Sequence, residues 1–185
     1  MVEGEVRCVG CPPGKYSSQL GAVNESFCEL CPVGTYQPSI GKAAVFDCRK
    51  CRDGSYSLEE GATDEASCQM CPKGTFLSGA GHEVKCRSCP VGRYQPVEGQ
   101  TAEKDCELCP AGTYSNSTGA STSEACLKCP KGTYLTETGA NATSACKPCP
   151  AGSYSPQEGA TSPSACQSCP KGTFSTQNGP GGRES

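Results

Sequence analysis

The stretch CPAGTYSNSTGASTSEACLKCPKGTYLTETGANATSACKPCPAGSYSPQEGATSPSAC, residues 109–166, repeats one pattern three times. Each copy reads Cys-Pro-x-Gly-x-Tyr, then four residues, Gly, six residues and Cys-x-x-Cys. Cysteines spaced in this way occur as zinc ligands, as redox dithiols and as disulfide anchors. The choice among these chemistries decides the fold.

The same cysteine spacing continues outward in both directions from this stretch. The pairs fall at 8/11, 28/31, 48/51, 68/71, 86/89, 106/109, 126/129, 146/149 and 166/169. The step is 20 residues throughout except between Cys68 and Cys86, where it is 18. A fixed period of this length indicates a repeat architecture.

We therefore divide the chain into a lead-in and nine repeats. The lead-in is residues 1–7, and the repeats are 8–30, 31–50, 51–70, 71–88, 89–108, 109–128, 129–148, 149–168 and 169–185. The fourth is two residues short and the ninth is truncated. We call the second cysteine of each pair the opening cysteine of a repeat and the first cysteine of the next pair its closing cysteine.

Positions counted from the opening cysteine show the other fixed residues of the repeat. The third position is Gly in all nine repeats, and the fifth is Tyr or Phe, with all seven tyrosines of the chain placed there. A second Gly stands at the tenth position, as at Gly21, Gly41, Gly61, Gly99, Gly119, Gly139, Gly159 and Gly179. Cys-Pro-x-Gly predicts a type I turn with Pro second and Gly fourth, and the following Thr-Tyr or Ser-Tyr predicts a short strand.

The rest of each repeat predicts little more than a loop. The segment before the closing cysteine is rich in Ser, Thr and Asp, which favours a turn or one helical turn. The aromatic ring is expected to lie over the next pair of cysteines.

Composition excludes a large hydrophobic core. Leu, Ile, Val and Phe together number only 21 of 185 residues, there is no Trp, and 18 residues are cysteines. Such a chain needs cross-links to fold, because its apolar surface is too small to offset the lost chain entropy. The predicted fold class is a small disulfide-rich protein: an elongated tandem array of ~20-residue loop and short β-hairpin modules, with little helix and no large core.

Of the three cysteine chemistries, disulfides explain the pattern best. Nine pairs do not divide evenly into four-cysteine zinc sites, and the chain has a single His. Pro follows eight of the nine opening cysteines, Cys51 being followed by Arg52, so the adjacent N–H that could bond a metal thiolate is missing. A redox dithiol needs a cysteine at a helix N-terminus within a βαβ unit, and the sequence has no helix or apolar strand of this kind. A zinc-binding repeat protein stays as a secondary alternative.

The favoured pairing joins each opening cysteine to the closing cysteine of the same repeat. The eight predicted bonds are Cys11–Cys28, Cys31–Cys48, Cys51–Cys68, Cys71–Cys86, Cys89–Cys106, Cys109–Cys126, Cys129–Cys146 and Cys149–Cys166, with Cys8 and Cys169 left unpaired. Each closes a loop of about 15 residues, worth ~3 kcal/mol in the chain-entropy treatment. Pairing in two-repeat blocks and small rings within each Cys-x-x-Cys stay open.

Charge and hydropathy limit the classes of partner that the chain is expected to bind. The net charge is −3 without a basic stripe, so nucleic acid is not expected as a partner, and no apolar run is long enough to insert into a membrane. Disulfides imply the secretory route, yet the N-terminus lacks an apolar signal segment. We therefore expect a piece of a larger secreted or membrane-anchored protein, located outside the cell or on its surface.

Few residues suggest chemistry beyond the cysteines. Three sequons, at Asn24, Asn116 and Asn141, lie in the variable loops and are candidate N-glycosylation sites. With a single His, the chain offers no credible catalytic set. No enzyme activity, metal site or cofactor is expected.

The motif Cys-Pro-x-Gly-[Thr/Ser]-[Tyr/Phe], with the Gly-Ala-Thr-x-x-x-x-Cys-x-x-Cys run at 149–169, resembles the ephrin type-A/B receptor-like cysteine-rich repeat. This module belongs to the growth-factor-receptor and tumour-necrosis-factor-receptor-like cysteine-rich group, and it is found beside EGF-like and other extracellular modules. The resemblance covers about residues 8–179. It implies a structural spacer or protein-interaction module with extracellular protein partners; the alternative is a ligand-binding ectodomain of a signalling receptor.

Overall fold

The computed structural model describes residues 8–79 and 85–175. Over these residues the chain alternates between strands of two residues, 3₁₀ turns of three residues and loops, and no α-helix is present. The prediction of a disulfide-rich tandem array of short β-hairpin modules, with little helix and no large core, is confirmed.

Eight two-stranded antiparallel hairpins recur along the chain. The strand pairs are β1 Lys15–Tyr16 with β2 Glu29–Leu30, β3 Thr35–Tyr36 with β4 Arg49–Lys50, β5 Ser55–Tyr56 with β6 Gln69–Met70, β7 Thr75–Phe76 with β8 Arg87–Ser88, β9 Arg93–Tyr94 with β10 Glu107–Leu108, β11 Thr113–Tyr114 with β12 Leu127–Lys128, β13 Thr133–Tyr134 with β14 Lys147–Pro148, and β15 Ser153–Tyr154 with β16 Gln167–Ser168. The second strand of each hairpin is the x-x of Cys-x-x-Cys, so the cysteine pair brackets a strand.

The turn before each hairpin differs from the predicted type I turn at Cys-Pro-x-Gly. The bond that closes it runs one residue later, from Thr35 N–H to the Pro32 carbonyl at 3.2 Å, so Gly34 is third in the turn rather than fourth. Gly34 has φ +75°, the conformation that the third residue of a type II turn requires. Arg52 replaces Pro without loss, because its carbonyl still accepts the Ser55 N–H at 3.0 Å.

The helical turn predicted before the closing cysteine is a 3₁₀ turn. It spans Glu25–Phe27, Val45–Asp47, Glu65–Ser67, Glu103–Asp105, Ser123–Ala125, Thr143–Ala145 and Pro163–Ala165. In repeats 1 and 3 the side chains of Asn24 and Asp64 cap the turn by accepting a backbone N–H two residues on. Local side-chain capping of this kind explains the polar residues that precede the turn.

The contacts divide the chain into two compact units. One takes Met1–Cys71, Leu77–Cys86 and Gly99–Thr101, and the other takes Pro72–Phe76, Arg87–Glu98 and Ala102–Ser185. Within their described parts, hairpins β1–β2, β3–β4 and β5–β6 lie in the first unit, and the other five lie in the second.

Inside each unit, three backbone hydrogen bonds join neighbouring repeats such as 6 with 7 and 2 with 3. In the second unit, Gly112 donates to the Leu135 carbonyl at 2.9 Å, Ser115 donates to that of Ala140 at 3.0 Å, and Gly139 donates to that of Cys109 at 2.8 Å. In the first unit, the equivalent bonds run from Gly34 to Ser57, from Gln37 to Ala62 and from Gly61 to Cys31, all at 2.8–2.9 Å. The joints depend on backbone and therefore tolerate varied side chains.

Repeats two apart also touch, which explains the glycine at the third position. A Cβ on Gly112 would lie 2.3 Å from the Gly159 carbonyl oxygen, and one on Gly14 would lie 2.1 Å from that of Gly61. These positions combine a positive φ with backbone contact, so only Gly fits there.

Candidate functional site

The cysteine pairs are junctions between disulfide loops. In the structure, the cysteines within one Cys-x-x-Cys never bond to each other, and where both are bonded they belong to different loops. The bonds are Cys11–Cys28, Cys31–Cys48, Cys51–Cys68, Cys71–Cys86, Cys89–Cys106, Cys109–Cys126, Cys129–Cys146 and Cys149–Cys166, with Cα atoms 5.6–5.9 Å apart. The structure thus brings together each pair that the sequence favoured.

Two cysteines, Cys8 and Cys169, are not in disulfide bonds. Cys8 is exposed and Cys169 is half-buried. Over residues 8–79 and 85–175, no group of three or more His, Cys, Asp or Glu side chains is close enough together to hold a metal ion. Since bonded sulfurs are not thiolates, a zinc site would require these disulfides to be reduced.

Disulfides and aromatic rings form the small core between neighbouring repeats. Phe76 of repeat 4 packs with Cys89 and Cys106 of repeat 5. Tyr114 of repeat 6 packs against the cluster of Cys129, Leu135 and Cys146 in repeat 7. The aromatic residue therefore covers the disulfide of the following repeat, which refines the prediction that it lies over the next pair of cysteines.

A buried position that the sequence did not reveal follows the aromatic residue. In repeats 2–8 the sixth residue after the opening cysteine is buried and at most 3% exposed: Gln37, Ser57, Leu77, Gln95, Ser115, Leu135 and Ser155. Its carbonyl accepts a bond from the preceding repeat in every case, and its N–H donates to the following repeat at Gln37, Leu77, Gln95, Ser115 and Leu135. Because the backbone fixes this position, residues as different as Ser, Gln and Leu occupy it.

Buried glutamine at this position comes with its own partners. In repeat 2 the Gln37 side chain donates to the Asp47 carbonyl and accepts the Ser39 N–H, and the Asp47 carboxylate in turn accepts the Ala44 N–H at 3.0 Å. Repeat 5 builds the same network from Gln95, Val97, Ala102 and Asp105. Gln at position six and Asp at position sixteen occur together in these two repeats only.

Two tyrosines are paired with a carboxylate across the hairpin. The Tyr16 hydroxyl donates to Glu29 Oε2 at 2.7 Å, and this hydrogen bond raises the pKa of Tyr16 above its ordinary value. A hydrogen bond to Glu107 raises the pKa of Tyr94 in the same way. In both cases the carboxylate stabilises the neutral phenol.

All three sequons lie at exposed residues. Asn24 caps the first 3₁₀ turn by accepting the Ser26 N–H at 2.9 Å, whereas Asn116 and Asn141 lie in the loop between the aromatic residue and the 3₁₀ turn.

Exposed apolar side chains concentrate in the first two repeats. Leu20 is 97% exposed, Phe46 is 86% exposed, and Val23 and Ile40 are also exposed. At the position of Phe46, repeats 3 and 5–8 carry Ala66, Lys104, Glu124, Ser144 and Ser164.

A groove of about 750 Å³ lies on repeat 1 and reaches the loop of repeat 2. Its lining includes Cys11, Ser17, Ala22 and Cys28. In repeat 7 the equivalent residues Cys129, Leu135, Ala140 and Cys146 form the surface on which Tyr114 packs. The groove is thus lined by the residues of repeat 1 that correspond to this surface.

Comparison with known families identifies the module. A family model described as tyrosine-protein kinase ephrin type A/B receptor-like matches residues 23–68, 62–106, 74–126, 101–146 and 120–166. The chain belongs to the ephrin type A/B receptor-like family. Comparison with curated proteins gives no match.

The family places the chain among cysteine-rich modules of the extracellular receptor type, which are themselves non-catalytic. Such modules act in protein interaction outside the cell or at its surface. Among residues 8–79 and 85–175, no helix is long and apolar enough to cross a membrane.

Proposed function

We propose that this chain is a non-enzymatic extracellular spacer and protein-interaction array of a secreted or membrane-anchored protein. The observation that carries the proposal is the joint between repeats. Three backbone hydrogen bonds and a covered disulfide recur at the joints, so each repeat holds the next with little dependence on variable side chains. Variable loop residues are left at the surface, where they are free to contact other proteins.

The spacer role is tested by deleting one repeat. Removing residues 109–128 takes out both cysteines of one disulfide and joins Cys106 to Cys129 in the original spacing. Fluorophores attached to the thiols of Cys8 and Cys169 report the separation of the two ends by energy transfer. We expect one repeat less to shorten this separation by a fixed step, and a second deletion, of residues 129–148, to shorten it again by the same step. An unchanged separation after both deletions would contradict the spacer role.

The pairing itself is part of the proposal for the secreted protein. Digestion without reduction, followed by mass spectrometry, should give eight linked peptides, one for each loop, and two alkylated cysteines, Cys8 and Cys169. Linked peptides that join alternate repeats, or stoichiometric zinc, would overturn it. Glycans at Asn24, Asn116 and Asn141 are expected on the chain expressed in a eukaryotic secretory pathway, and enzymatic deglycosylation would shift the mass of the three peptides.

A second candidate function is ligand binding by a receptor ectodomain, favoured by the exposed apolar residues of repeats 1 and 2. We expect Ile40→Ser with Phe46→Ser to weaken binding by at least tenfold in a screen against extracellular domains. Glu124→Ser is the matched control, because Glu124 holds the position of Phe46 in repeat 6. If both variants bind as the parent does, the surface of repeats 1 and 2 is not the ligand site.

A further inference from the structure

Repeats 6–8 differ from repeats 2–5 in the segment between position six and the closing cysteine, which we call the variable segment. These segments are residues 38–47, 58–67, 78–85 and 96–105 in repeats 2–5, and 116–125, 136–145 and 156–165 in repeats 6–8. The first four hold twelve charged residues and five with a hydroxyl group, whereas the last three hold three charged residues and twelve with a hydroxyl group. Ser and Thr thus supply the polar surface of repeats 6–8 that charged residues supply in repeats 2–5.

The hydroxyl residues of these three variable segments lie at the surface. Eleven of them are exposed and Ser162 is half-buried. The twelve residues are Ser117, Thr118, Ser121, Thr122, Ser123, Thr136, Thr138, Thr143, Ser144, Thr161, Ser162 and Ser164. Hydroxyls that hold the fold together lie earlier in the repeat: those of Thr113, Thr133 and Ser153 donate to the carbonyl of the Pro three residues before them at 2.6–2.7 Å.

Capping of the 3₁₀ turn does not account for the exposed hydroxyls. Thr122 and Ser162 stand at the N-cap, where Asn and Asp accept a backbone N–H in repeats 1 and 3, but neither makes a capping bond. Their hydroxyls bond other side chains at the surface: Thr122 donates to Glu124 at 2.5 Å, and the Ser162 and Ser164 oxygens lie 2.5 Å apart. The usual structural reason for Ser or Thr before a turn is therefore absent here.

Sequence features of attached carbohydrate occur in the same segments. Segments rich in Ser and Thr that also contain Pro are typical of O-glycosylated stalks, and the variable segment of repeat 8 contains Pro156 and Pro163. The sequons at Asn116 and Asn141 lie in the variable segments of repeats 6 and 7, while residues 31–108 contain no Asn. Both kinds of acceptor thus concentrate in repeats 6–8.

We propose that the variable segments of repeats 6–8 carry O-linked sugars, a modification that rests on the extracellular role proposed above. The donor is a nucleotide-activated sugar. The Ser or Thr oxygen bonds to C1 of the sugar, the bond from C1 to the nucleotide diphosphate breaks, and the hydroxyl proton passes to a base of the transferase. A transferase that acts on the disulfide-bonded chain needs exposed hydroxyls, which repeats 6–8 offer. The sugars cover these segments and leave those of repeats 2–5 to protein contacts.

The modification is measured on the 185-residue chain secreted from animal cells behind a cleavable signal segment. After enzymatic removal of N-linked sugars, the intact mass should exceed that of the bare chain by several sugar residues. Fragmentation of the peptides should place these sugars in residues 116–125, 136–145 and 156–165. The mass of the first sugar distinguishes an N-acetylhexosamine donor from a hexose or deoxyhexose donor. A chain of bare mass, or sugars spread equally over the variable segments of repeats 2–5, would overturn the proposal.

Repeat 8 allows a variant test without interference from N-linked sugar, because it contains no Asn. Thr161→Ala, Ser162→Ala and Ser164→Ala together should abolish the added mass on the peptide of repeat 8 and leave repeats 6 and 7 as in the parent. Ser155→Ala is the matched control, because this hydroxyl lies in the same repeat and is 3% exposed, so the sugars should be unchanged. Sugar on repeat 8 that survives the triple variant, or that the control removes equally, would contradict the assignment.

Failure of the extracellular role is recognised separately on the same sample. Peptide mapping without reduction shows whether the eight disulfides have formed. A fully bonded, secreted chain without O-linked sugar overturns the glycosylation and leaves the extracellular role in place. A chain that stays in the cell with reduced cysteines contradicts both.

Discussion

Repeats 5 and 7 bury side chains of different polarity at the same position. Both bury the residue at position six, but repeat 5 uses Gln95 and repeat 7 uses Leu135, which are 2% and 1% exposed. Gln95 is satisfied by a carbonyl and an N–H of its own repeat, whereas Leu135 packs with Cys129 and Cys146. The comparison shows that the joint fixes the backbone at position six. Which side chain fills the buried space there depends on the other residues of the same repeat.

The difference extends to neighbouring positions. Position sixteen is Asp105 in repeat 5, where its carboxylate accepts the Ala102 N–H at 2.9 Å, and Ala145 in repeat 7, where the methyl packs against the Leu135 cluster. The residue paired with the tyrosine across the hairpin is Glu107 in repeat 5 and Lys147 in repeat 7. Gln at position six is therefore accompanied by Asp at position sixteen, and Leu135 by Ala145.

The largest expected effect is one that both repeats share. Replacing Cys129 and Cys146 by Ser, or Cys89 and Cys106 by Ser, should each lower the free energy of unfolding by about 3 kcal/mol, because both bonds close loops of the same length. Guanidinium unfolding with the other disulfides intact measures the loss. If the free energy of unfolding falls far more in one repeat than in the other, the residue at position six, and not the disulfide, accounts for the stability of the repeat.

The contact between repeats 5 and 7 themselves is tested by Gly92→Ala. A Cβ there would lie 2.2 Å from the Gly139 carbonyl oxygen, and φ is +77°. We expect a loss of about 2–3 kcal/mol, from the left-handed backbone and from overpacking together. Gly152→Ala is the matched control because φ is +78° and no atom lies within 4 Å of its Cβ, so about 1–2 kcal/mol should be lost. Equal losses would show that only φ matters.

The Leu and Ala of repeat 7 should be replaceable by the Gln and Asp of repeat 5 only when both positions are changed together. Ala145→Asp alone should cost about 1–3 kcal/mol, because it places a carboxylate against Leu135 and the disulfide. Adding Leu135→Gln should recover part of this loss, since the amide and the carboxylate then take the partners that they have in repeat 5. A double-mutant cycle on the free energy of unfolding should give a favourable coupling of about 0.5–3 kcal/mol. Additive losses would mean that the two positions are independent.

A smaller effect isolates the cap that repeat 7 lacks. Asp105→Ala should lower the free energy of unfolding by about 1 kcal/mol, because the Ala102 N–H loses its acceptor. Hydrogen exchange at Ala102 should quicken. Glu103→Ala, in the same 3₁₀ turn, serves as control, and an equal loss in the control would point to charge rather than to capping.

The smallest effect concerns the tyrosine of repeat 5. Glu107→Gln should lower the pKa of Tyr94 towards its ordinary value, because the carboxylate that stabilises the neutral phenol is removed. Since the folded-state pKa is raised, the bond stabilises the fold below the ordinary pKa of tyrosine and this contribution is lost as pH rises through the raised value. Ultraviolet titration of the parent, Glu107→Gln and the control Glu103→Gln measures the change; an unaltered Tyr94 titration would contradict the assignment.

Much of the fold follows from the printed sequence. Period, cysteine count and scarcity of apolar residues predict a disulfide-rich array, and Thr-Tyr or Ser-Tyr predicts the first strand of each hairpin. The turn at Cys-Pro-x-Gly was placed one residue early, because Pro at the second position of a type I turn is a common pattern and the positive φ of Gly34 is visible only in the structure.

The candidate surfaces were less predictable. Gln37, Ser57 and Leu77 share no chemistry, so nothing in their side chains marks position six as buried. The contact of Gly92 with Gly139 joins residues 47 positions apart, which a 20-residue pattern does not reveal. The exposure of Phe46 is also visible only in the structure, because position fifteen carries no fixed residue in the repeats.

By itself the sequence determined the unit, its disulfide chemistry and its family resemblance, because these depend on residues at fixed spacing along the chain. Tertiary structure alone decided which faces of a repeat are joints. The physical reason is that backbone groups make the joints, for example the Ser115 N–H, the Ala140 carbonyl and the Gly139 N–H. Every residue other than Pro has the same backbone groups, so the amino-acid type does not show which of them form a joint. What distinguishes them is only which neighbour the fold brings within hydrogen-bond distance.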